Sequence, residues 1–388
     1  MRPSPAILLS AVPLLLLGAC NRGPAPAPQG TGTTQAAAAP LDPFAANDDL
    51  AATTAPDSEP RFIMQAQVVL DRLGFTPGVV DGKMGQSTRN ALAGFQEARG
   101  LRQTGEIDAD TREKLGRWST IPATRVVTIP ADFSAGPFQP VPKEPADQAR
   151  LSALGYASLD EKLAERFHTT PETLALLNPG GVPAGQGAAA PAPAAAVPVA
   201  NASPPPAPMF RASQQVRVPN VGGDRIDPGA IKADPDWLAT LAMLGVGTAQ
   251  PKVERIVVGK SRGVLKAYDA SGKLVAVYTA TMGSEHDPLP LGAWRINGVS
   301  RNPVFHYNPA LFWDAEPGDR KAKLPPGPNG PVGVVWIDLS KPHYGIHGTP
   351  RPETIGRAES HGCVRLTNWD AARLSLMVHA GTKVLFEG

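Results

Sequence analysis

Charge of one sign, cysteine and long apolar runs are all scarce in this sequence. The formal net charge of the 388 residues is +2 and no run of Lys or Arg occurs, so we expect no nucleic acid as a partner. Only two cysteines are present, Cys20 and Cys363, and together they could form at most one disulfide. Neither a CxxC nor an HExxH pattern occurs, so we expect no metal ion and no cofactor.

The apolar run near the N-terminus covers only residues 6–17. It follows Arg2 and precedes small residues, which is typical of an export signal, and it is shorter than the roughly 20 residues that span a bilayer. Residues 17–20 read Leu-Gly-Ala-Cys, which resembles the lipobox of bacterial lipoproteins. The resemblance implies a signal peptide at 1–19 and acylation of Cys20. A plain secretory signal that is cleaved near Ala19 is the alternative.

Lipidation of Cys20 has two consequences. The protein would be anchored in the cell envelope and face the periplasm, and Asn21 rather than Asp after Cys20 favours the outer membrane by the rule of the best-known sorting system. Cys363 would then have no partner within an exported chain, and nucleophilic chemistry is the obvious reason to keep such a thiol.

Proline and glycine, in contrast, are abundant, with 43 and 39 residues. Residues 20–60 are rich in Ala, Pro, Gly and Thr and have few large apolar side chains, so we predict a disordered, extended tether. A second Ala/Pro-rich stretch lies at 181–208. We therefore expect several folded regions with linkers between them.

Residues 61–118 have apolar side chains at helical spacing, interrupted by Gly and Pro, and this predicts three short helices. We expect Asp108 or Asp110 to cap the third helix. The motifs resemble peptidoglycan-binding domain 1, and they are Gln67-Val68-Val69-Leu70, Gly74-Phe75, Val80-Asp81-Gly82-Lys83-Met84-Gly85, Phe95-Gln96 and Thr104-Gly105-Glu106-Ile107-Asp108. The resemblance implies an all-α domain that binds peptidoglycan. The alternative is a spacer that binds nothing.

Residues 151–220 resemble a degenerate LysM module, a fold that binds glycan. Two helical stretches, around Leu163 and Leu174, are followed after the Ala/Pro-rich insertion by Val216-Arg217-Val218-Pro219, which is similar to the closing strand. The Gly-Asp-Thr that usually opens the module is missing. A glycan-binding module and a degenerate spacer both remain open.

Residues 253–387 have a strand-like pattern. Runs rich in Val, Ile and Tyr predict strands at 255–258, 263–269, 274–281, 292–297, 332–339 and 382–386. One helix is predicted at 369–379, capped by Thr367 or Asn368. The expected fold class is multidomain, with a small all-α three-helix unit, Ala/Pro-rich linkers and a mostly-β C-terminal domain.

One part of this C-terminal region has the composition of an active site. His347-Gly348-Thr349 is followed by Ser360-His361-Gly362-Cys363-Val364-Arg365, with Cys363 sixteen residues after His347. A cysteine nucleophile needs a base and backbone donors for an oxyanion, and His, Gly-Cys and a nearby Arg can supply them. Taken singly, the His could be a turn residue and the Cys a small buried hydrophobe. A metal site is also conceivable, made of His343, His347, His361 and Cys363.

The joint pattern resembles the signature of YkuD-type L,D-transpeptidases, His-Gly-Thr followed by Ser-x-Gly-Cys-x-Arg. The resemblance implies a β-sandwich catalytic domain in which Cys363 is the nucleophile and His347 the general base. It also implies supporting roles: the carbonyl of Gly348 fixes the imidazole, amides at Gly362 and Cys363 face the oxyanion, Arg365 holds the thiolate or a substrate carboxylate, and Ser360 and His361 shape the loop. A purely structural ion pair is the alternative for Arg365.

The function that this resemblance implies is the formation of 3→3 cross-links between peptidoglycan stem peptides through a cysteine thioester. In the same fold, water as the acceptor would give a carboxypeptidase, an amidase or an endopeptidase, and a Lys side chain would give an enzyme that attaches proteins to peptidoglycan. A non-catalytic peptidoglycan-binding lipoprotein is the alternative from another class. Leu289 stands where the family usually has Thr, and the long 298–330 segment is expected to select substrate or act as a lid.

Overall fold

The computed structural model describes residue 57 and residues 59–185, 208–222, 226–231 and 234–388. The predicted signal peptide, Cys20, nearly all of the predicted tether and most of the Ala/Pro-rich insertion lie outside these residues. In the described part of the chain, no helix is both long enough and apolar enough to cross a membrane.

The N-terminal region contains the three predicted helices. They are α1 (Phe62–Arg72), α2 (Gln86–Ala98) and α3 (Ala109–Leu115), with a short strand β1 (Phe75–Thr76) and a 3-10 turn at Gly116–Trp118. Asp108 caps α3, because its side chain accepts a hydrogen bond from the N–H of Thr111.

Two buried glutamines explain the polar positions of the N-terminal motifs. Gln67 accepts a hydrogen bond from the Gly82 N–H at 2.7 Å and donates one to the Thr88 hydroxyl at 2.9 Å. Gln96 accepts one from the Gly105 N–H at 2.9 Å. Each side chain thus satisfies a backbone group of a neighbouring loop, and an apolar replacement would leave that group without this partner.

The middle region combines a two-stranded sheet with short helices. Its elements are β2 (Thr124–Thr128), α4 (Pro145–Gln148), α5 (Leu159–Arg166), α6 (Pro171–Leu177), a 3-10 turn at Pro179–Gly181 and β3 (Gln215–Pro219). The strand predicted at Val216 is β3, and it pairs antiparallel with β2, with Val218 opposite Arg125. β2 lies before the 151–220 segment, and such a distant pairing leaves no local signal in the sequence. The resemblance to LysM stays a prediction.

The C-terminal region is mostly β. Its helices are α7 (Pro235–Leu244), for which no element was predicted, and α8 (Asn368–Met377), which Thr367 caps. Its strands are β4 (Arg255–Gly259), β5 (Val264–Tyr268), β6 (Leu274–Thr279), β7 (Thr281–Met282), β8 (Gly292–Arg301), β9 (Phe305–Tyr307), β10 (Ala322–Leu324), β11 (Val335–Leu339), β12 (Gly345–His347), β13 (Val364–Arg365) and β14 (Lys383–Glu387). Short 3-10 turns lie at Pro228–Ala230, Pro309–Leu311 and Pro352–Thr354.

Nine of these strands, together with β1, form a ten-stranded mixed sheet in the order β1-β6-β5-β4-β14-β8-β11-β12-β13-β7. The long strand β8 joins its two parts, because residues 292–295 pair with β14 and residues 296–301 pair with β11. Buried side chains of the sheet, α7 and α8 form one apolar core, which includes Trp237 and Trp369. The predicted fold class, a helical N-terminal unit and a mostly-β C-terminal domain, is confirmed.

The described parts of the three regions pack against one another within one compact unit. β1 adds to the edge of the C-terminal sheet, where Phe75 pairs with Val277 of β6. A buried ionic cluster lies behind this edge: Arg373 of α8 donates two hydrogen bonds to the Asp71 carboxylate, at 2.9 and 3.0 Å, and His168 lies 3.2 Å from it. Burial opposes ionisation of Asp71, but Arg373 and His168 together lower its pKa well below the usual range.

Candidate active site

The predicted site residues meet where β12 and β13 lie side by side. The two strands are parallel, and His347 is the register partner of Arg365. Cys363 precedes Arg365 by two residues, and alternate residues of a strand face the same side. His347, Cys363 and Arg365 all line one cleft of about 720 Å³.

His347 is held as a neutral imidazole. It is buried, its Nδ1 donates a hydrogen bond to the Gly348 carbonyl at 2.7 Å, and its ring stacks on Trp336 with 5.5 Å between centroids. Since Nδ1 is the protonated nitrogen, Nε2 carries the lone pair that can accept a proton. Burial, and then the nearby Arg365 guanidinium, lower the pKa of His347 to about 3. The imidazole is therefore uncharged at neutral pH.

Cys363 is a partly exposed, free thiol. Burial raises its pKa above the ordinary value, while a hydrogen bond from the Gly345 backbone and the charge of Arg365 act in the opposite direction. The sulfur also lies 3.7 Å from the His343 carbonyl oxygen. With a thiol of raised pKa and an imidazole of lowered pKa, the resting pair is neutral.

This neutral pair predicts the pH dependence of thiol reactivity. We expect iodoacetamide to alkylate Cys363 slowly near neutral pH, since only the thiolate reacts. The rate should rise about tenfold per pH unit and level off only above pH 9, because the pKa lies above the ordinary 9.0. Intact-mass spectrometry of the full chain measures the rate, with Cys363→Ala as the control. A plateau that is already reached in mildly acidic solution would indicate a thiolate–imidazolium pair and contradict this assignment.

Two glycines allow the close packing of this site. Gly362 has a φ of +86°, and a Cβ at this position would collide with the ring of Tyr344. A Cβ on Gly345 would likewise meet the indole of Trp336. Both positions thus exclude larger residues. Without a side chain, the backbone at Gly362 can lie against Tyr344 and the backbone at Gly345 can lie against Trp336.

Ser360 fastens the loop before Cys363 to the end of β7. Its hydroxyl accepts a hydrogen bond from the Gly283 N–H at 2.7 Å and donates one to the Cys363 carbonyl at 2.6 Å. Its own N–H donates to the Gly283 carbonyl at 3.2 Å. Ser360 thus joins the cysteine loop to the residue that follows β7, and its predicted loop-shaping role stays a prediction.

His361 and Arg365 connect this loop to the 298–330 segment. His361 Nε2 lies 2.7 Å from Asp314 Oδ1, and its ring packs edge-on against Phe312. Arg365 Nη2 lies 3.4 Å from His361 Nδ1. Within the described residues Arg365 forms no ion pair, and its predicted role stays a prediction. The 298–330 segment also supplies Val304 and further side chains to the wall of the cleft.

The structure also bears on the metal hypothesis. Among the described residues, no group of three or more His, Cys, Asp or Glu side chains is arranged to hold a metal ion. His347 and Cys363 are engaged with the Gly348 carbonyl and the Gly345 backbone instead.

Some contributors to the site were missed by the sequence analysis. Trp336 was predicted only as part of a strand, although it stacks on His347, and the Gly345 backbone donor was not recognised. The alternation of β11 could have indicated that Trp336 faces the side opposite to its neighbours Val335 and Ile337, but its contact with His347 depends on the strand register. Leu289, which departs from the family pattern, is buried in the apolar core.

Two family models match the chain. One is described as the L,D-transpeptidase catalytic domain, YkuD, and covers residues 253–385, and the other is described as a peptidoglycan binding domain and covers residues 61–115. The cleft residues described above lie within the first.

Parts of the chain are similar to known proteins. The L,D-transpeptidase YkuD of Bacillus licheniformis is 52% identical over 178 residues, which are 45% of this chain and 87% of that protein. YkuD of Bacillus subtilis is 53% identical over 57 residues, which are 15% of this chain and 35% of that protein. A solved L,D-transpeptidase from Mycobacterium smegmatis is 20% identical with a TM-score of 0.29, over 35% of this chain and 59% of that one. The chain belongs to the L,D-transpeptidase family and carries a peptidoglycan-binding domain.

Proposed function

We propose that this chain is a peptidoglycan L,D-transpeptidase that forms 3→3 cross-links through a thioester on Cys363. The observation that supports the proposal most directly is the shared cleft, which both Cys363 and a neutral His347 line, with the Gly345 backbone donating a hydrogen bond to the Cys363 sulfur. These are a nucleophile, a base and a backbone donor, the three parts that acyl transfer requires.

The proposed reaction has two halves. The sulfur of Cys363 attacks the carbonyl of the diaminopimelate at stem position three while Nε2 of His347 takes the thiol proton. The C–N bond to the D-alanine at position four breaks, and the imidazolium returns the proton to the leaving amine. An amine of a second stem then attacks the thioester, losing a proton to His347, and the sulfur leaves with that proton as the thiol.

The acceptor decides between this function and its alternatives from the same fold. Full-length protein is incubated with purified tetrapeptide muropeptides, and the products are analysed by mass. We expect free D-alanine and a dimer that has lost one D-alanine. Tripeptide without a dimer would instead support the carboxypeptidase, and a stem joined to a Lys of an added envelope protein would support the attaching enzyme. No release of D-alanine would favour the non-catalytic wall-binding lipoprotein.

The proposed location is the periplasmic face of the cell envelope, with lipid on Cys20. We expect the Cys20→Ser chain to move from the membrane fraction to the soluble periplasmic fraction, because it lacks the acyl chains that hold the protein at the bilayer. Fractionation with immunoblotting measures this, and Cys363→Ser is the control that should stay with the membrane. A Cys20→Ser chain that stays membrane-bound would rule out the lipobox.

A further inference from the structure

The carbonyl that orients His347 belongs to Gly348, and Gly348 packs directly against Asn368 at the start of α8. A Cβ on Gly348 would overlap the Asn368 side-chain oxygen, and so would a Cβ on Gly333. Asn368 Oδ1 also accepts a hydrogen bond from the Val334 N–H at 3.3 Å. The position of the Asn368 amide therefore limits where the Gly348 backbone can lie.

The middle region of the chain holds this amide in place. Asn368 Nδ2 donates to Glu165 Oε1 of α5 at 2.7 Å and to the Pro328 carbonyl at 3.1 Å. Asn368 is fully buried and Glu165 is 7% exposed, so water does not compete for these bonds. Glu165 lies outside both regions that match family models, which cover residues 61–115 and 253–385.

We propose that Glu165 and Asn368 are positioning residues of the transpeptidase site. The Glu165 carboxyl holds the Asn368 amide against Gly348, and Gly348 in turn fixes the Nδ1–H tautomer and the orientation of His347. The inference rests on the proposed function, because that function makes His347 the base. It gives the middle region a part in assembling the active site, whether or not that region binds glycan.

The burial of Glu165 supports this assignment. Within the described residues it forms no ion pair, and burying a carboxyl without a cation costs stability. Burial raises the pKa of Glu165 to about 7, opposed by hydrogen bonds from Tyr156 and Asn368. A carboxyl oxygen can accept the Asn368 hydrogen bond in either protonation state, so the acceptor atom and not the charge is required.

The same helix supplies a matched control. Glu161, one turn before Glu165, accepts a hydrogen bond from Asn329 Nδ2 at 2.8 Å and one from the Ala157 N–H at 2.6 Å. Glu161 lies on the same face of α5 as Glu165 and binds the segment that precedes β11. It has no hydrogen bond to Asn368 among the described residues. The Glu161→Ala variant therefore tests how a general weakening of this interface affects the rate of D-alanine release.

The test compares Glu165→Ala, Glu165→Gln, Asn368→Ala and Glu161→Ala in the full chain. We expect kcat for D-alanine release to fall about tenfold in Glu165→Ala and Asn368→Ala, because a misplaced base slows the chemical step, while KM changes less than about twofold. Glu165→Gln keeps an acceptor oxygen and should restore most of kcat. Glu161→Ala should stay within about twofold of wild type.

A spectroscopic measurement separates positioning from stability. In ¹⁵N-histidine-labelled protein, His347 of the wild type should show a protonated Nδ1, and the Glu165→Ala and Asn368→Ala spectra should show a larger share of the Nε2–H tautomer. Wild-type kcat in both alanine variants, or an equal loss in Glu161→Ala, would overturn the inference. If Glu165→Ala does not fold, the results for Asn368→Ala and Glu165→Gln test the positioning inference.

Failure of the proposed function would look different. In that case the wild-type chain itself would release no D-alanine and a carbapenem would not acylate Cys363. The tautomer of His347 would still respond to Glu165→Ala if the positioning contact exists, and an unchanged tautomer would overturn the positioning inference independently of any activity.

Discussion

We expect the Cys363→Ala chain to release D-alanine from tetrapeptide stems at least about 10³-fold more slowly than the wild-type chain. Without the sulfur no thioester can form, and the remaining backbone donors and His347 can only assist attack by water. The measurement is D-alanine released per enzyme over time, with purified muropeptides at a saturating concentration. Release at the wild-type rate would remove Cys363 from the reaction.

Covalent labelling gives the matched control for this experiment. A carbapenem should add to Cys363 in the wild-type chain and in Cys20→Ser, and the mass shift should disappear in Cys363→Ala. The two variants each remove one of the two cysteines in the sequence, so the comparison shows which of the two residues carries the adduct. An adduct that maps to another residue would contradict the assignment of the nucleophile.

We expect Arg373→Met to lower the free energy of unfolding by about 3–5 kcal/mol. The change leaves the Asp71 carboxylate buried at the junction of α1, α8 and the middle region without the cation that donates two hydrogen bonds to it. Urea unfolding followed by circular dichroism measures the change. The effect is large because water cannot replace the lost partner at a fully buried carboxylate.

An exposed ion pair of the same type is the control. Arg150 and Asp147 lie 2.8 Å apart, with side chains that are 77% and 48% exposed, and Arg150→Met should cost at most about 1 kcal/mol. The double variant Asp71→Leu with Arg373→Met should recover part of the lost free energy of unfolding, because it also removes the carboxylate that is left without its cation. Equal, small effects of Arg373→Met and Arg150→Met would show that the buried pair does not hold the regions together.

Much of the fold could be predicted because its signals are local. The three N-terminal helices, the Asp108 cap and the helix that Thr367 caps follow from side-chain periodicity and from polar residues at helix starts, which need only neighbouring residues. The strand β2 and its partner β3 could not be paired in advance. Their pairing depends on which surfaces meet after the chain between them has folded, and sequence spacing does not encode that.

The candidate site shows the same division. The motif with His347 and Cys363 indicated a thiol and a base, because the residue types and their spacing can be recognised within one short segment of the sequence. The protonation of the two groups depends on their surroundings. Burial and the charge of Arg365 lower the pKa of His347, whereas burial raises the pKa of Cys363. The exposure of a side chain is a property of the folded molecule, so the neutral resting pair could not be read from the motif.

By itself the sequence determined the order of the regions, the class of chemistry and the family, since motif spacing and periodicity are properties of short segments. Only the tertiary structure decided that the regions dock through Asp71 and Arg373, and that Glu165 reaches the Asn368 amide beside the carbonyl of Gly348. Those contacts join residues that are about 200 to 300 positions apart along the chain. They exist because complementary surfaces exclude water when the whole unit packs, and no local pattern specifies such complementarity.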